Sequence, residues 1–229
     1  MTKIDRPVGL PVATLPPGIV PDLRPLNGRY SRLEALDVAK HGADLWAVHA
    51  ADEGGLLWTY FGNEPPTSEK AFVELQSSRA LTRDPWHYAY INLQTGKALG
   101  TGAFMRFDKA NGVIEIGYIW FSTALQRTRE ASEVIYLMMH HAFDDLGCRR
   151  LEWKCDSLNA ASRRAAERFG FTYEGTFRQH MVSKGRNRDT AWFSMLDSEW
   201  PRVKADFETW LAESNFDAAG QQKAKLQLT

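Results

Sequence analysis

The sequence predicts an α+β fold built on one mixed, mostly antiparallel sheet. Three observations support this prediction. Short apolar runs separated by tight turns follow one another between residues 86 and 121, which is typical of an antiparallel meander. The apolar period then becomes helical over 129–146. A strand, a second helix and a long hairpin come next, so the strands on either side of the long helix are expected to run parallel.

The individual elements follow from hydrophobic periodicity and from signals at their ends. Asp37 is the expected N-cap of the first helix, and the Pro65-Pro66-Thr67 stretch is expected to begin the second. Gly170 is placed to end the helix that begins at Asn159, because glycine adopts the left-handed conformation of helix ends. The predicted strands are 30–36, 86–93, 98–106, 113–121, 151–155, 172–182 and 189–196. The predicted helices are the one after Asp37 and those over 65–81, 129–146, 159–168 and 199–213.

Length and composition favour a single folded domain with short extensions. The chain has 229 residues, of which 44% are hydrophobic and 24% are charged, and this is the composition of a globular protein. Residues 1–25 carry six prolines and are expected to form an extended arm. Residues 26–214 are predicted to form the domain, and the polar residues 215–229 are predicted to form a flexible tail.

Charge and cysteine content argue against several classes of protein. Lys and Arg together number 28, as do Asp and Glu, so no overall charge attracts the chain to nucleic acid or to an anionic membrane. No apolar run of about 18 residues occurs, and the N-terminus lacks the pattern of a signal peptide. Cys148 and Cys155 are an isolated pair and are expected to be reduced thiols of a cytoplasmic protein.

The segment between the strand at 113–121 and the long helix predicts an anion site. The residues Gln126-Arg127-Thr128-Arg129 enter the helix, where unpaired backbone N–H groups and the positive end of the helix dipole meet. Arg127 and Arg129 add charged donors that suit a pyrophosphate or a similar polyanion. On these residues alone, the alternative that both arginines simply face solvent is equally favoured.

A second pattern follows the long helix. The strand Trp153-Lys154-Cys155-Asp156 leads to a helix that begins at Asn159 and closes with Phe169-Gly170-Phe171. A strand containing Glu174-Gly175-Thr176-Phe177-Arg178 comes next. In their order and spacing, these elements resemble the GNAT superfamily of N-acetyltransferases, over roughly residues 25–197. Within it, the sequence is most similar to the group named for ribosomal-protein N-terminal (alanine/serine) acetyltransferases.

The resemblance implies a mostly antiparallel central sheet with a V-shaped splay between two parallel strands and helices on both faces. It implies acetyl-CoA as the co-substrate, no metal, and direct transfer of the acetyl group to a primary amine. Coenzyme A would enter the splay, and a backbone N–H near Ile119 or Trp120 would stabilise the oxyanion that forms during transfer. The amides expected to hold the pyrophosphate are those of Gln126, Arg127, Thr128, Arg129, Glu130 and Ala131.

Asn159 and Ser162 belong to the opening of the second helix of this pattern. The resemblance implies that Asn159 bonds the pantetheine arm, and an N-cap role is nearly as well supported and compatible with it. Many superfamily members place a tyrosine, the acid that protonates the departing thiolate, at the position that is Ala166 here. Ser162 stands where the similar subgroup carries a serine. It is the candidate acid, directly or through water, and a bond to the helix backbone is the alternative.

Glu115 is the candidate general base because it is a carboxylate within an otherwise apolar strand. Such a group must face solvent, a partner or a cleft, and burial in a cleft would raise its pKa toward the range that a base needs. The alternative is a structural ion pair with Arg106 across the sheet. His180 is a weaker candidate base, and Cys155 is not favoured as a nucleophile because no neighbouring histidine is evident. His140 and His141 are not expected to bind a metal.

The acceptor amine is expected opposite the cofactor, between the early helices and the hairpin at 177–192. Four aromatic residues are predicted to line its site: Trp58, Tyr60, Phe61 and Trp192. The expected acceptor is a small-molecule amine, an aminoacyl compound or a protein N-terminus, and the protein is expected to be a monomer or a homodimer. Nucleic acid and membrane are not expected as partners. The alternative function is a non-catalytic acyl-CoA-binding sensor or interaction domain, which the alanine at position 166 favours.

Overall fold

The structure is a computed structural model that describes residues 6–12 and 22–228. Residues 1–5, 13–21 and 229, which include most of the predicted N-terminal arm, lie outside the described residues. The strands are β1 Leu26–Asn27, β2 Ser31–Ala35, β3 Trp86–Asn92, β4 Ala98–Asp108, β5 Val113–Phe121, β6 Arg150–Asp156, β7 Thr172–Ser183 and β8 Arg186–Leu196. The helices are α1 Val38–Ala50, α2 Glu69–Leu81, α3 Arg129–His140, α4 Ala160–Arg168 and α5 Trp200–Trp210. In this described part of the chain, no helix is long and apolar enough to cross a membrane.

A sheet of eight strands runs through the described residues in the order β1-β2-β3-β4-β5-β6-β8-β7. The strands β5 and β6 pair in parallel, and every other neighbouring pair in this sheet is antiparallel. The predicted α+β class with a mixed, mostly antiparallel sheet is therefore confirmed. Helix α3 connects the two parallel strands, because parallel neighbours need a crossover connection.

The two parallel strands separate half-way along their length. Their pairing runs from Val113 opposite Arg150 to Ile116 opposite Trp153, although both strands continue beyond this point. Tyr118 has a left-handed φ of 52°, and the register between β4 and β5 shifts beside it. Such a bulge bends the strand that carries it, which accounts for the separation. The predicted V-shaped splay is confirmed.

Hydrophobic side chains cover both faces of the sheet, because successive strand residues point to opposite sides. On β3, Tyr88 and Tyr90 belong to the larger core, which also contains residues of α3 and α5. Ala89 and Ile91 belong to a smaller core formed with α1 and α2. Helices therefore lie on both faces, as predicted. The larger core anchors the start of α3, and the smaller one holds the aromatic segment before α2, which comprises residues 56–62.

Helix ends follow most of the predicted signals. Asp37 Oδ1 accepts a hydrogen bond from Ala39 N at 2.9 Å, and Gly170 has a left-handed φ of 89° after α4. Three bounds differ from the prediction. The predicted helix over 199–213 ends as α5 at Trp210. Ser68 caps α2 in place of the preceding proline pair, because its side chain can accept from the first turn of the helix. The predicted helix over 129–146 ends as α3 at His140 and continues as a π turn over His141–Asp145.

The C-terminal segment packs against the domain and thus differs from the predicted flexible tail. Trp210 Nε1 donates to Gln222 Oε1 at 3.0 Å, and Phe216 is buried. Leu226 and Leu228 pack against the larger core. The polar composition of this segment suggested a loose chain, but a few apolar side chains suffice to fix it, since each gains free energy on burial.

Candidate active site

A cleft of about 1310 Å³ lies at the splay, between the ends of β5 and β6 and the starts of α3 and α4. All nine predicted cofactor-binding residues line it: Ile119, Trp120, Gln126, Arg127, Thr128, Arg129, Glu130, Ala131 and Asn159. Ser162 and Tyr60 line it too, whereas Glu115, Trp58, Phe61 and Trp192 do not. The structure therefore brings the predicted cofactor residues together in one place and separates them from most of the predicted acceptor residues.

The turn that enters α3 presents backbone donors to the cleft. Arg127 has a left-handed φ of 63°, and the Thr128 hydroxyl oxygen caps the helix by accepting from Ala131 N at 3.1 Å. Within the described part of the chain, the N–H groups of Arg127, Arg129 and Glu130 find no acceptor. Three unpaired donors at the positive end of a 12-residue helix form a site that suits an anion.

The two arginines of this turn differ in their surroundings. Arg127 is exposed and forms no ion pair with any described residue. Arg129 Nε lies 3.2 Å from Glu130 Oε1, and its guanidinium stacks on the rings of Tyr30 and Phe216, at 4.0 and 5.2 Å from their centroids. The solvent-facing alternative therefore describes Arg127 but not Arg129, whose planar group is held in place.

The far wall of the cleft comes from the C-terminal segment, which sequence analysis missed. Phe216 and residues 218–222 line this wall. Gly220 has a φ of 74° and lies against Arg129, so a Cβ atom there would sit 3.5 Å from the guanidinium carbon. No local pattern in this polar stretch reveals the contact, because it depends on how the chain folds back after α5.

Asn159 and Ser162 connect the start of α4 to β6. Asn159 Oδ1 accepts from Ser162 N at 3.0 Å, which confirms the N-cap role. Ser162 Oγ accepts from the indole Nε1 of Trp153 at 3.0 Å, so the side chain bonds this ring and the predicted bond to the helix backbone is wrong. Ala166 is fully buried, and a tyrosine there would force its surroundings apart. Burial raises the pKa of Cys155, which keeps it a thiol.

Glu115 is 1% exposed and points to the face of β5 opposite the larger core. Its Oε2 lies 3.2 Å from Arg106 Nε and 3.3 Å from Lys154 Nζ. The ion pair with Arg106 predicted as an alternative is confirmed, and Lys154 is a second partner that sequence analysis missed. Neither contact meets the directional geometry of a hydrogen bond, and burial raises the pKa of Glu115 to about 7 in spite of both cations. A carboxyl that titrates near neutral pH suits proton transfer.

Two of the four predicted acceptor residues belong to the interior of the aromatic segment. Trp58 is 1% exposed, and its Nε1 donates to His49 Nδ1 at 3.0 Å. Its place in the smaller core differs from the predicted lining role, because the indole ring is surrounded by protein on all sides. Phe61 is partly buried against that core, and its ring centroid lies 6.4 Å from that of Tyr118.

The other two aromatic residues mark the borders of the region between α2 and the β7–β8 hairpin. Tyr60 OH donates to Leu158 O at 3.1 Å, which links the aromatic segment to the loop before α4. Trp192 stacks under the Lys154 ammonium and the Arg106 guanidinium, at 5.3 and 5.4 Å from its ring centroid. Trp192 therefore holds the two cations that pair with Glu115.

Three further residues lie in contact on the α2 side of the splay. The sequence did not predict a role for them. The Tyr118 ring lies 5.2 Å from the His87 ring and 5.6 Å from the Arg79 guanidinium carbon. They belong to β5, β3 and α2, so their contact depends on pairings that no local spacing shows. In the structure, the left-handed φ of Tyr118 marks a bulge, and bulges are common beside active sites.

Comparison with known proteins gives consistent matches. The family described as acetyltransferase (GNAT) domain matches residues 33–172. The crystal structure of a GCN5-related N-acetyltransferase from Brucella melitensis is 47% identical with a TM-score of 0.91, over 94% of this chain and 97% of that one. The N-acetyltransferase p20 of Bacillus licheniformis, described as uncharacterized, is 31% identical over 132 residues, which are 56% of this chain and 71% of p20. YdaF of Bacillus subtilis (strain 168), named as a proposed ribosomal N-acetyltransferase, is 24% identical over 155 residues, 64% of this chain and 80% of YdaF.

The chain belongs to the GNAT family of acetyltransferases. The matched region covers more than half of the chain and contains β5, α3, β6 and α4, the elements that build the cleft. The relatives are N-acetyltransferases, so the predicted class of enzyme is confirmed. The resemblance to proteins of the ribosomal N-acetyltransferase group is confirmed as well.

Proposed function

We propose that this N-acetyltransferase takes its acetyl group from acetyl-CoA bound in the cleft and transfers it directly to a primary amine at the splay. The observation that carries the proposal is the turn before α3. Its three unpaired N–H groups belong to residues that line a cleft leading to the free end of β5. A backbone arranged in this way suits a pyrophosphate bound beside an extended, amide-containing arm.

The described residues fit a coenzyme A ester in charge and in hydrogen-bonding capacity. The amides of the turn and the exposed side chain of Arg127 would hold the pyrophosphate. The stretch of β5 from Gly117 to Phe121 has no partner on β6, so its backbone is free to pair with the amides of the pantetheine arm. Asn159, whose Oδ1 serves the N-cap, retains an amide N–H₂ group for the same arm. When bound, acetyl-CoA supplies the acetyl thioester.

The free end of β5 would also stabilise the charge that develops during transfer. An N–H of Ile119 or Trp120 that finds no partner on β6 is the candidate oxyanion donor. Trp120 is buried between the rings of Trp58 and Phe72, so its backbone is held before the reaction begins. A donor fixed in advance costs no reorganisation when the charge appears.

Glu115 would accept the proton of the acceptor amine. It lies two residues before the point where β5 becomes free, and its pKa of about 7 lets it take up a proton near neutral pH. Lys154 and Arg106 keep part of the population ionised, since an opposite charge favours the carboxylate. His180, the weaker candidate, bonds Thr190 Oγ1 through Nδ1 at 2.9 Å. It forms no hydrogen bond or ion pair with Glu115 in the described structure.

Ser162 would give a proton to the departing thiolate, directly or through water. The indole of Trp153 occupies a lone pair of its oxygen, and its hydroxyl hydrogen, which also lies within reach of the Cys155 sulfur, is the proton that would be given. The tyrosine of many other family members is replaced here by the buried Ala166, and Ser162, which lines the cleft and bonds Trp153 of β6, is the candidate in its place.

The acceptor would approach from the α2 side, between the aromatic segment and the β7–β8 hairpin. Lys184 Nζ at the hairpin turn donates to Trp58 O at 2.7 Å, which closes one end of this region. The acceptor class remains a small-molecule amine, an aminoacyl compound or a protein N-terminus, and the description of YdaF supports the last. The cytoplasmic location and the monomeric or dimeric state remain predictions.

Calorimetry with acetyl-CoA, followed by a thiol-release assay over a panel of amines, tests the proposal. We expect binding that stabilises the folded protein and acetylation of at least one amine, with one free thiol released for each acetyl group transferred. Absence of acetyl-CoA binding would contradict the proposal for the cleft. Binding without thiol release from any amine would instead support the sensor function considered as the alternative.

A further inference from the structure

Arg79 in α2 is a buried cation for which the described part of the chain supplies no counter-ion. Its side chain is 8% exposed and forms no hydrogen bond or ion pair with any described residue. The guanidinium carbon lies 5.6, 5.7 and 5.6 Å from the ring centroids of Trp58, Phe61 and Tyr118. Cation–π contacts offset part of the cost of removing a charge from water, but a buried charge is stable only when it is paired.

Among the residues that the structure describes, none near Arg79 supplies a negative charge. Burial lowers the pKa of Arg79, and Tyr118 is the one titratable neighbour that favours its charged form. His87 carries no negative charge, and it stays neutral because burial and the charge of Arg79 lower the pKa of its imidazole to about 3. None of the guanidinium nitrogens is both unpaired and fully enclosed, so the accessible part of the side chain includes its charged end.

This charge lies beside the splay, on the α2 side of β5. Ile119 lines the cleft and packs against the larger core. Its neighbour Tyr118 is half-exposed and contacts Arg79, His87 and Phe61 on the α2 side. The bulge at Tyr118 therefore places Arg79 and the rings around it next to the backbone at which acetyl transfer is proposed.

We propose that Arg79 binds a carboxylate of the acceptor, and that the acceptors of this enzyme are primary amines that carry a carboxylate. This rests on the proposed function and narrows its substrate class. The planar guanidinium suits a carboxylate, and the rings of Phe61 and Tyr118 suit an apolar or aromatic body. The neutral ring of His87 lies against the Tyr118 ring, with 5.2 Å between the centroids, and adds no charge that would compete for the carboxylate. A phosphate monoester would bring two negative charges to one cation and leave one of them unpaired.

Binding of a simple carboxylate tests this site without relying on turnover. Phenylacetate and phenylacetamide have nearly the same shape and differ in charge, so calorimetry with both isolates the contribution of the carboxylate. We expect the wild-type protein to prefer phenylacetate about tenfold or more, the factor expected for one charge-assisted hydrogen bond. Arg79→Met should lose this preference. Arg83→Met, which removes an exposed arginine just beyond the end of α2, should keep it.

Turnover with matched amines completes the test. The wild-type enzyme should acetylate phenylalanine with a higher kcat/KM than phenylalaninamide, and Arg79→Met should remove this difference while acetyl-CoA binding stays unchanged. Phosphoethanolamine serves as the phosphate arm, and Arg79-dependent acetylation that is faster with it than with phenylalanine would overturn the carboxylate assignment. If Arg79→Met does not fold, Arg79→Lys keeps a charge without the planar fork, and it should weaken the preference.

Two outcomes separate this proposal from the proposed function. Equal binding of phenylacetate by the wild type and by the folded Arg79 variants overturns the role of Arg79, whatever the enzyme acetylates. Arg79-dependent binding of phenylacetate without acetyl-CoA binding or thiol release leaves the carboxylate site in place and contradicts the acetyl-transfer site.

Discussion

Two arginines on the two sides of the splay, Arg127 and Arg79, show how differently this enzyme handles charge. Arg127 is exposed, and the unpaired amides around it belong to a helix start. Arg79 is almost fully buried among aromatic rings, with no partner in the described structure. The first arrangement depends on local backbone geometry, and the second depends on side chains that long-range folding brings together. The cofactor side therefore depends on local backbone geometry, and the acceptor side depends on packing between side chains that are far apart in the sequence.

Replacement of Glu115 should have the largest effect on the acceptor side. Glu115→Gln removes the proposed base while it keeps the size of the side chain, and kcat should fall about 100-fold, the low end for a general base. Steady-state kinetics and acetyl-CoA calorimetry on the same sample measure this. The matched control is Glu152→Gln on the neighbouring strand, paired with Arg150 at 2.9 Å, which should stay within about twofold of the wild type. Equal losses in both variants would mean that Glu115 serves the structure alone.

The pH dependence of the enzyme should report the same carboxyl. Because the pKa of Glu115 is raised from 4.5 to about 7, the base form increases as pH rises, and kcat/KM should rise through about pH 7. Stability should change in the opposite direction. The folded state binds this proton more tightly than the unfolded state, so the contribution is fully present below about pH 4.5 and is lost as pH rises through 7.

A pH series of denaturant unfolding and initial rates checks both signs. In Glu115→Gln the fall in stability between pH 5 and pH 8 should be smaller than in the wild type. A wild-type kcat/KM that stays flat from pH 5.5 to pH 8 would contradict the assignment.

Ser162→Ala should reduce kcat by about tenfold, since a hydroxyl is a weak acid and its contribution is expected below the usual range for acid catalysis. The acetyl-CoA dissociation constant should stay close to that of the wild type. The loss also leaves the Trp153 indole without its acceptor, so some stability is lost as well. Ser78→Ala on the exposed face of α2 is the control. A Ser162→Ala enzyme of wild-type kcat would leave thiolate protonation to water alone.

Arg127→Gly should have the smallest effect and should act only on the cofactor side. The KM for acetyl-CoA should rise about fivefold, the effect of roughly 1 kcal/mol expected for an exposed charge, while kcat stays unchanged. Glycine suits the left-handed φ of 63° and leaves the amides of the turn in place. Arg186→Gln at the distant hairpin turn serves as the control. A large loss of kcat in Arg127→Gly would mean that the charge acts in the transfer itself.

The cofactor side could be predicted from the sequence because the patterns that indicate it are local. The strand Val113–Phe121, the arginine-containing turn and the Asn159 cap lie within short stretches, and each pattern has one physical cause. The pairing of Glu115 with Arg106 was also foreseeable, since the two residues lie on adjacent strands of one meander.

The acceptor side and the far wall of the cleft could not be predicted in the same way. Arg79 meets Tyr118 only because α2 packs on the face of β5, and Lys154 meets Glu115 only across the parallel pair. Phe216 reaches Arg129 because the chain folds back after α5. In each case the partners are far apart in the sequence, and the local spacing of residues does not indicate that they are in contact.

A crystal structure of the complex with coenzyme A tests the central claim most directly, because it shows which backbone atoms hold the pyrophosphate. We expect phosphate oxygens within about 3 Å of the amide nitrogens of Arg127, Arg129 and Glu130. The thiol end of the pantetheine arm should lie beside Gly117–Ile119. A pyrophosphate bound away from this turn, or a pantetheine arm that does not pair with the free end of β5, would contradict it.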